Sequence, residues 1–400
     1  GRSMIWSRVA EQYHDLFKEV YREFTLEKLQ KISVVYKNRQ DYFRKRYLYA
    51  MIERLTDDTG IFQHTKYGIP DLKHGYSADD VGRALGIVMK LARYEQEPRY
   101  YQLAKKYLAF LLYVQKENGR FHNFVGYDRR ILDEDGGDDT FGRVLTGLGS
   151  AVALSNDPPV TILAKEIFDR AIADLQPGLP LSTYPKALAY SVCGLSDYLK
   201  RFPGAVQAGA LLRAGADYLV KLYEDNKSTD WAWFEPSVTY ANAKVPYALM
   251  MAYGILKDEM YLQTALEALN FLTGIQYNGT HFHVVGNKNW FAKGDEKASF
   301  DQQPIEIACL VEAYCEALRL TRNENYHVLA KKAFGWFFGS NCLGIPVYNF
   351  EEDYPLDGLT ETGSNANSGA ESVLSFALAI TCLKDVSKRK SLGRKNRLLK

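Results

Sequence analysis

The sequence predicts an all-α protein, a six-hairpin barrel in which twelve helices close into a ring with long polar loops at one mouth. Three observations carry this reading: apolar residues at helical spacing, a recurring helix–loop–helix unit, and six polar helix openings at near-regular intervals.

After "DDVGR", apolar residues fall at Val81, Ala84, Leu85, Val88, Leu91 and Ala92. That i, i+3, i+4 spacing lines one face of a helix. The segment "YYQLAKKYLAFLLYV" (100–114) is a second helix, and its Leu103-Ala104-Lys105 core returns at Leu163-Ala164-Lys165 and Leu329-Ala330-Lys331. Alternating, strand-like patterns are few and short.

The repeat shows in the loops. Thr59-Gly60-Ile61-Phe62 leads, nineteen residues after its glycine, to Asp79-Asp80. Asn118-Gly119-Arg120-Phe121 leads at the same distance to Asp138-Asp139. A third loop runs from Asn278-Gly279 to Asp301-Gln302-Gln303-Pro304. Self-similarity of this kind marks a repeat architecture.

Helix openings at Asp80, Asp139, Pro185, Asn242, Asp301 and Gly369 are 59, 46, 57, 59 and 68 residues apart. Each interval fits two helices. Such units can also stack as an open solenoid, but the sixth lacks a polar capping face, which favours a closed ring. One aspartate ahead of a helix caps its first N–H groups and complements the helix dipole. The second aspartate and the loops of roughly twenty residues exceed that need, and such loops in compact domains are usually functional.

Composition is that of a core-forming globular chain, 46% hydrophobic and 24% charged, with 28 tyrosines. Tyr and Trp pair an apolar face with a polar tip and suit core edges and sugar-binding grooves alike. Eight of the last seventeen residues are Lys or Arg, so a basic tail is expected to be disordered over 386–400 and the rest of the chain is mildly acidic. Five cysteines, an odd number without a CxxC, argue against a disulfide framework and structural zinc and fit a cytoplasmic compartment. No apolar run is long enough to span a membrane. No GxGxxG, Walker A, GxSxG or HExxH motif is present, so no cofactor and no metal is expected, and no nucleic-acid partner.

Two stretches resemble known families. Ile5–Val20, "IWSRVAEQYHDLFKEV", resembles the closing helix of family 4 (group 1) glycosyltransferases. The resemblance implies that residues 1–30 are the end of an N-terminal glycosyltransferase domain joined to a toroid over 31–385. "DDVGRAL", "GGDDTFGRVL", "WAWFEPSVTYANAKVPYAL", "FDQQPIEIACLVEAY" and "SNANSGAESVLSFALA" together resemble the six-hairpin glycosidase-like proteins. That resemblance implies an (α/α)6 toroid and an oligosaccharide or polysaccharide substrate. Inverting glycosidases, sugar phosphorylases, lyases and 2-epimerases share this fold, so fold alone does not settle function.

Glycoside hydrolysis needs two carboxyl groups, an acid and a base or nucleophile. The expected catalytic residues are Asp139, Asp301 and Glu235. Asp139 lies in "DEDGGDD", where five acids in seven residues favour a raised pKa. Asp301 stands among amides at a helix start, and Glu235 follows Trp231, Trp233 and Phe234. The expected sugar contacts are Asp80, Tyr76, Trp231, Trp233, Tyr240, Asn242, Trp290, Gln302, Glu371 and His283. Arg83 and Arg143 follow their aspartates at ion-pair spacing and read as structural. Hydrolysis with inversion is the leading reading. A non-catalytic glycan-binding module and a 2-epimerase are the alternatives, His281 and His283 being the candidate bases of the latter.

Overall fold

A computed structural model describes residues 46–398, with side chains described from 48 to 387. Ile5–Val20, and the expected join to a glycosyltransferase, lie outside the described residues. The described helices are α1 (Arg46–Arg54), α2 (Ala78–Glu95), α3 (Arg99–Val114), α4 (Gly137–Leu154), α5 (Pro158–Ile172), α6 (Pro185–Arg201), α7 (Val206–Asn226), α8 (Lys244–Leu256), α9 (Glu259–Gln276), α10 (Pro304–Thr321), α11 (Asn325–Phe334) and α12 (Ala370–Leu398). The basic segment expected to be disordered continues α12 as far as Leu398.

Even-numbered helices form an inner ring. Each packs on the next, and α12 returns to α2 and closes the ring. Burial follows from position. In α6 every residue from Pro185 to Leu199 is buried, as a helix surrounded on all sides requires. In the outer helix α5 a single stripe is buried, including Val160, Ala164, Ile167 and Phe168.

Glycines let the inner helices approach. A Cβ on Gly147 of α4 would lie 2.2 Å from the carbonyl oxygen of Gly82 in α2, and one on Gly149 would lie 2.2 Å from that of Gly194 in α6. No other residue permits so close a backbone contact.

Outer-to-inner connections are long (55–77, 115–136, 173–184, 227–243, 277–303 and 335–369, the third being the shortest), and inner-to-outer ones are turns of two to four residues. The inner helix starts therefore share one mouth with the long loops. Two-residue strands stitch the rim: Tyr76–Ser77 pairs with Phe124–Val125, and Ser237–Val238 with Phe291–Ala292. The first and last loops meet where Arg54 donates to Gly68 O at 2.8 Å and to Ser368 Oγ at 3.1 Å. Among the described residues, no helix is long and apolar enough to cross a membrane.

Candidate functional site

The aspartates at the inner helix starts are not simple caps. At α2 the Ser77 hydroxyl is the cap: it accepts from Asp80 N at 3.3 Å and donates to Asp80 Oδ2 at 2.8 Å. At α4, α6, α8 and α10 no side chain caps the helix. The aspartates instead bind arginines, within their own helix at Asp80 and Asp139 and across to the next helix at Asp79. Arg83 reaches Asp80 at 3.4 Å and Glu371 of α12 at 2.9 Å. Arg143 reaches Asp79 at 2.6 Å and Asp139 at 3.5 Å. The Tyr240 hydroxyl, from the loop before α8, donates to Asp139.

Next around the ring, Lys186 of α6 forms an ion pair with Glu235, and Asn242 Nδ2 donates to Glu306 Oε2 of α10 at 2.8 Å. Each of the six inner helix openings thus contributes a charged or polar group to the network of contacts at the mouth, which falls into three sets.

Burial sets the electrostatics. It pushes the Asp80 carboxyl up to about 7, and Asp79 and Glu371 push the same way. Burial opposes ionisation of Asp79 too, but Arg143 and Arg83 hold its carboxyl below the ordinary value. Burial raises Glu306 to about 7 against the N–H donors of Asn242 and Ala241. It pushes the Lys186 ammonium down to about 8, against the charges of Glu306 and Asp139, which favour the protonated form.

Among the expected residues, Asp139, Glu235, Tyr240, His283, Trp290, Asp301 and Glu371 remain partly exposed. Trp290 sits 6.3 Å from the Tyr240 ring at 49°. Asp301 lies 3.5 Å from Lys288 Nζ, and its Oδ1 has no hydrogen-bond partner.

Several expected sugar contacts are instead part of the framework. Trp231 and Trp233 are 3% and 0% exposed. Trp231 donates to Glu235 O at 2.8 Å and packs on Phe271 and Phe291, so it orients the loop from within. Tyr76 is fully buried and donates to Asp57 Oδ2. Asn242 is buried between Thr239 and Glu306. Gln302 is fully buried; it donates to Ser299 O and accepts from Trp336 Nε1 at 2.9 Å. Asp80 is buried beneath Arg83. His283 is not one of these: it is half-buried, with its ring centroid 6.5 Å from that of Phe300.

Lys186 and Glu306 belong to the network and were not among the expected site residues. Below them, at the centre of the ring, Lys90 and Lys244 converge on Glu312, Lys90 at 2.7 Å. The sequence signal for these three is a lone charge inside an apolar run, as in "GIVMKLA" and "ACLVEAYC". Among the described residues no group of three or more His, Cys, Asp or Glu side chains is placed to hold a metal ion.

No family model and no curated protein sequence matches this chain. Solved structures do resemble it. A sugar epimerase from a ruminal bacterium superposes with a TM-score of 0.68 at 12% identity, covering 90% of this chain and 99% of that one. The cellobiose 2-epimerase of Spirochaeta thermophila gives 0.66 at 12% identity, over 91% and 98%. An inactive variant of the alpha-1,6-mannanase of Salegentibacter sp., with two consecutive aspartates replaced by alanine and alpha-1,6-mannotetrose bound, gives 0.59 at 9% identity, over 85% and 97%. At these identities the likeness is one of fold, and the fold of this chain is the (α/α)6 toroid.

Proposed function

We propose that this chain is a carbohydrate-active domain that cleaves a glycosidic bond with paired carboxylates at the mouth of the toroid. The observation that carries the reading is Asp139. It is the second of two consecutive aspartates at an inner helix start, has a side chain 37% exposed, and is held by Tyr240 and Arg143. Two consecutive aspartates are also what was replaced in the inactive mannanase variant.

Asp301, on the loop before α10, is the proposed partner, since its side chain is 34% exposed and its buried Oδ1, which has no hydrogen bond, stands 3.5 Å from Lys288 Nζ. One of the two protonates the leaving oxygen and the other activates water. Their origin in different hairpins favours a wide separation and inversion, for which carboxyl groups stand about 6.5–9.5 Å apart. Tyr240 and Trp290 supply an aromatic wall for the sugar. Glu235 is spent on Lys186, so its proposed role is to position that lysine beside Asp139. We also propose the join to a glycosyltransferase, on the strength of Ile5–Val20 alone.

Little supports a pair of catalytic histidines. The six inner helices carry no histidine, and His281 is tied into its own turn by Asn278 and Thr280.

The test is release of reducing ends from a panel of α- and β-linked oligosaccharides. Turnover by the wild type should fall by about 10²–10⁴-fold in Asp139→Asn and in Asp301→Asn. No turnover of any substrate, with glycan binding retained in both variants, would replace this reading by that of a binding module.

A further inference from the structure

We infer that the floor of the cup is a binding site for a small oxyanion, a phosphate or carboxylate group. The inference stands on the central cavity and does not depend on bond cleavage at the rim.

The cavity has a volume of about 60 Å³, and its charged lining is Arg83, Lys90, Arg143, Lys244 and Glu312. Four cations thus face one carboxylate. Such a volume holds about four waters at roughly 15 Å³ each, or a group the size of phosphate. The acidic partners of the two arginines, Asp79, Asp80, Asp139 and Glu371, are outside this lining. The two arginines are thus matched by carboxylates of the rim, and the excess positive charge at the floor is that of Lys90 and Lys244 against Glu312.

The donors at the floor outnumber their acceptors. The Arg83 and Arg143 carboxylate contacts use terminal nitrogens, and Nε of each is buried without a hydrogen-bond partner. The Arg143 side chain is only 8% exposed. A buried donor without an acceptor is costly. Lys90 bonds one oxygen of Glu312 and Lys244 the other. Both lysines are held charged by that contact, and the two of them hold Glu312 down at about 2. The trio keeps one positive charge in excess, in a setting where an uncompensated charge is destabilising. Water can satisfy the N–H groups but cannot neutralise the charge. An oxyanion does both.

The experiment is calorimetric titration of the folded chain at constant ionic strength with inorganic phosphate, a hexose 1-phosphate, a hexuronate and a neutral hexose. Saturable binding of phosphate, weakened at least tenfold in Lys90→Gln and restored in Lys90→Arg, is expected. Lys90→Gln leaves the Lys244–Glu312 pair in place, so the fold has a reason to survive. Glu312→Gln removes the competing carboxylate and should tighten phosphate binding; if that variant does not fold, the two Lys90 variants decide. A hexose phosphate or hexuronate bound at least tenfold more tightly than inorganic phosphate assigns the anion to the sugar itself; equal affinity assigns a free ion. Absence of saturable binding by all three anions, affinity unchanged in Lys90→Gln, or a neutral hexose binding as well as its phosphate would each overturn the inference. A chain that binds phosphate but cuts no glycoside would support this site and sink the hydrolase reading.

Discussion

Substituting Gly194 by alanine tests whether the close seam between inner helices sets the shape of the cup. A Cβ there would lie 2.4 Å from Leu145 O and 2.5 Å from Leu145 C, both backbone atoms of α4. Comfortable contact needs about 3.5 Å, so α4 and α6 must part by about 1 Å. Neither side can yield by a rotamer change. Overpacking of this kind costs about 1–3 kcal/mol, sometimes more. Against it stands the gain of about 0.8–1 kcal/mol from replacing a mid-helix glycine by alanine. The net expectation is a loss of up to about 2 kcal/mol. In a closed ring the displacement is passed to the neighbours, which carries Lys186 of α6 away from Asp139 of α4. Gly209 of α7 is the control, because nothing lies within 4 Å of a Cβ built there. Urea denaturation followed by circular dichroism should give a lower midpoint for Gly194→Ala and an equal or higher one for Gly209→Ala. A Gly194→Ala midpoint at or above the wild-type value would refute the reasoning.

Tyr240→Phe removes the donor to Asp139 without disturbing the core, and a hydrogen bond to a charged group contributes about 1.5–3 kcal/mol. Turnover of the best substrate in the panel should fall by roughly 10–100-fold, with a melting temperature lowered by a few degrees; unaltered kinetics would detach Tyr240 from the chemistry. Glu306 is held at about 7 by burial, above its ordinary 4.5. The folded chain therefore keeps a proton that the unfolded chain has released between those values. The stability it contributes is complete below about 4.5 and is lost as the pH rises through about 7. That gap corresponds to about 3 kcal/mol at most. Glu306→Gln should flatten this part of the melting-temperature profile, and parallel wild-type and variant curves from pH 4.5 to 7.5 would contradict it. The two kinds of tryptophan should also separate: Trp231→Ala costs about 3–5 kcal/mol of stability, whereas Trp290→Ala weakens glycan binding and leaves unfolding close to wild type. The reverse pattern would exchange their roles.

Periodicity made the helices legible because an apolar stripe at helical spacing is a local property of the chain. The mouth was legible in outline for the same reason: Asp139, Tyr240 and Asp301 stand beside helix starts that can be counted. Which aromatic faces the groove was not. Trp231 and Trp290 both lie in polar loops, and a tryptophan meets the needs of a core as well as those of a sugar. Gln302 and Asn242 resemble hydroxyl-binding amides in sequence, yet both are consumed by backbone and side-chain partners inside the rim.

The amino-acid sequence determined the helical class, the sixfold count and the acidic openings, because these rest on spacing along the chain and on the demands of helix ends. Only the tertiary structure decided which charges meet. Asp139 is 101 residues from Tyr240 in sequence, and Lys90 is 222 residues from Glu312. Their contact exists because glycine seams bring the inner helices together and close the ring. Burial at that centre then raises or lowers each group's pKa according to its neighbours, which the chain order does not reveal.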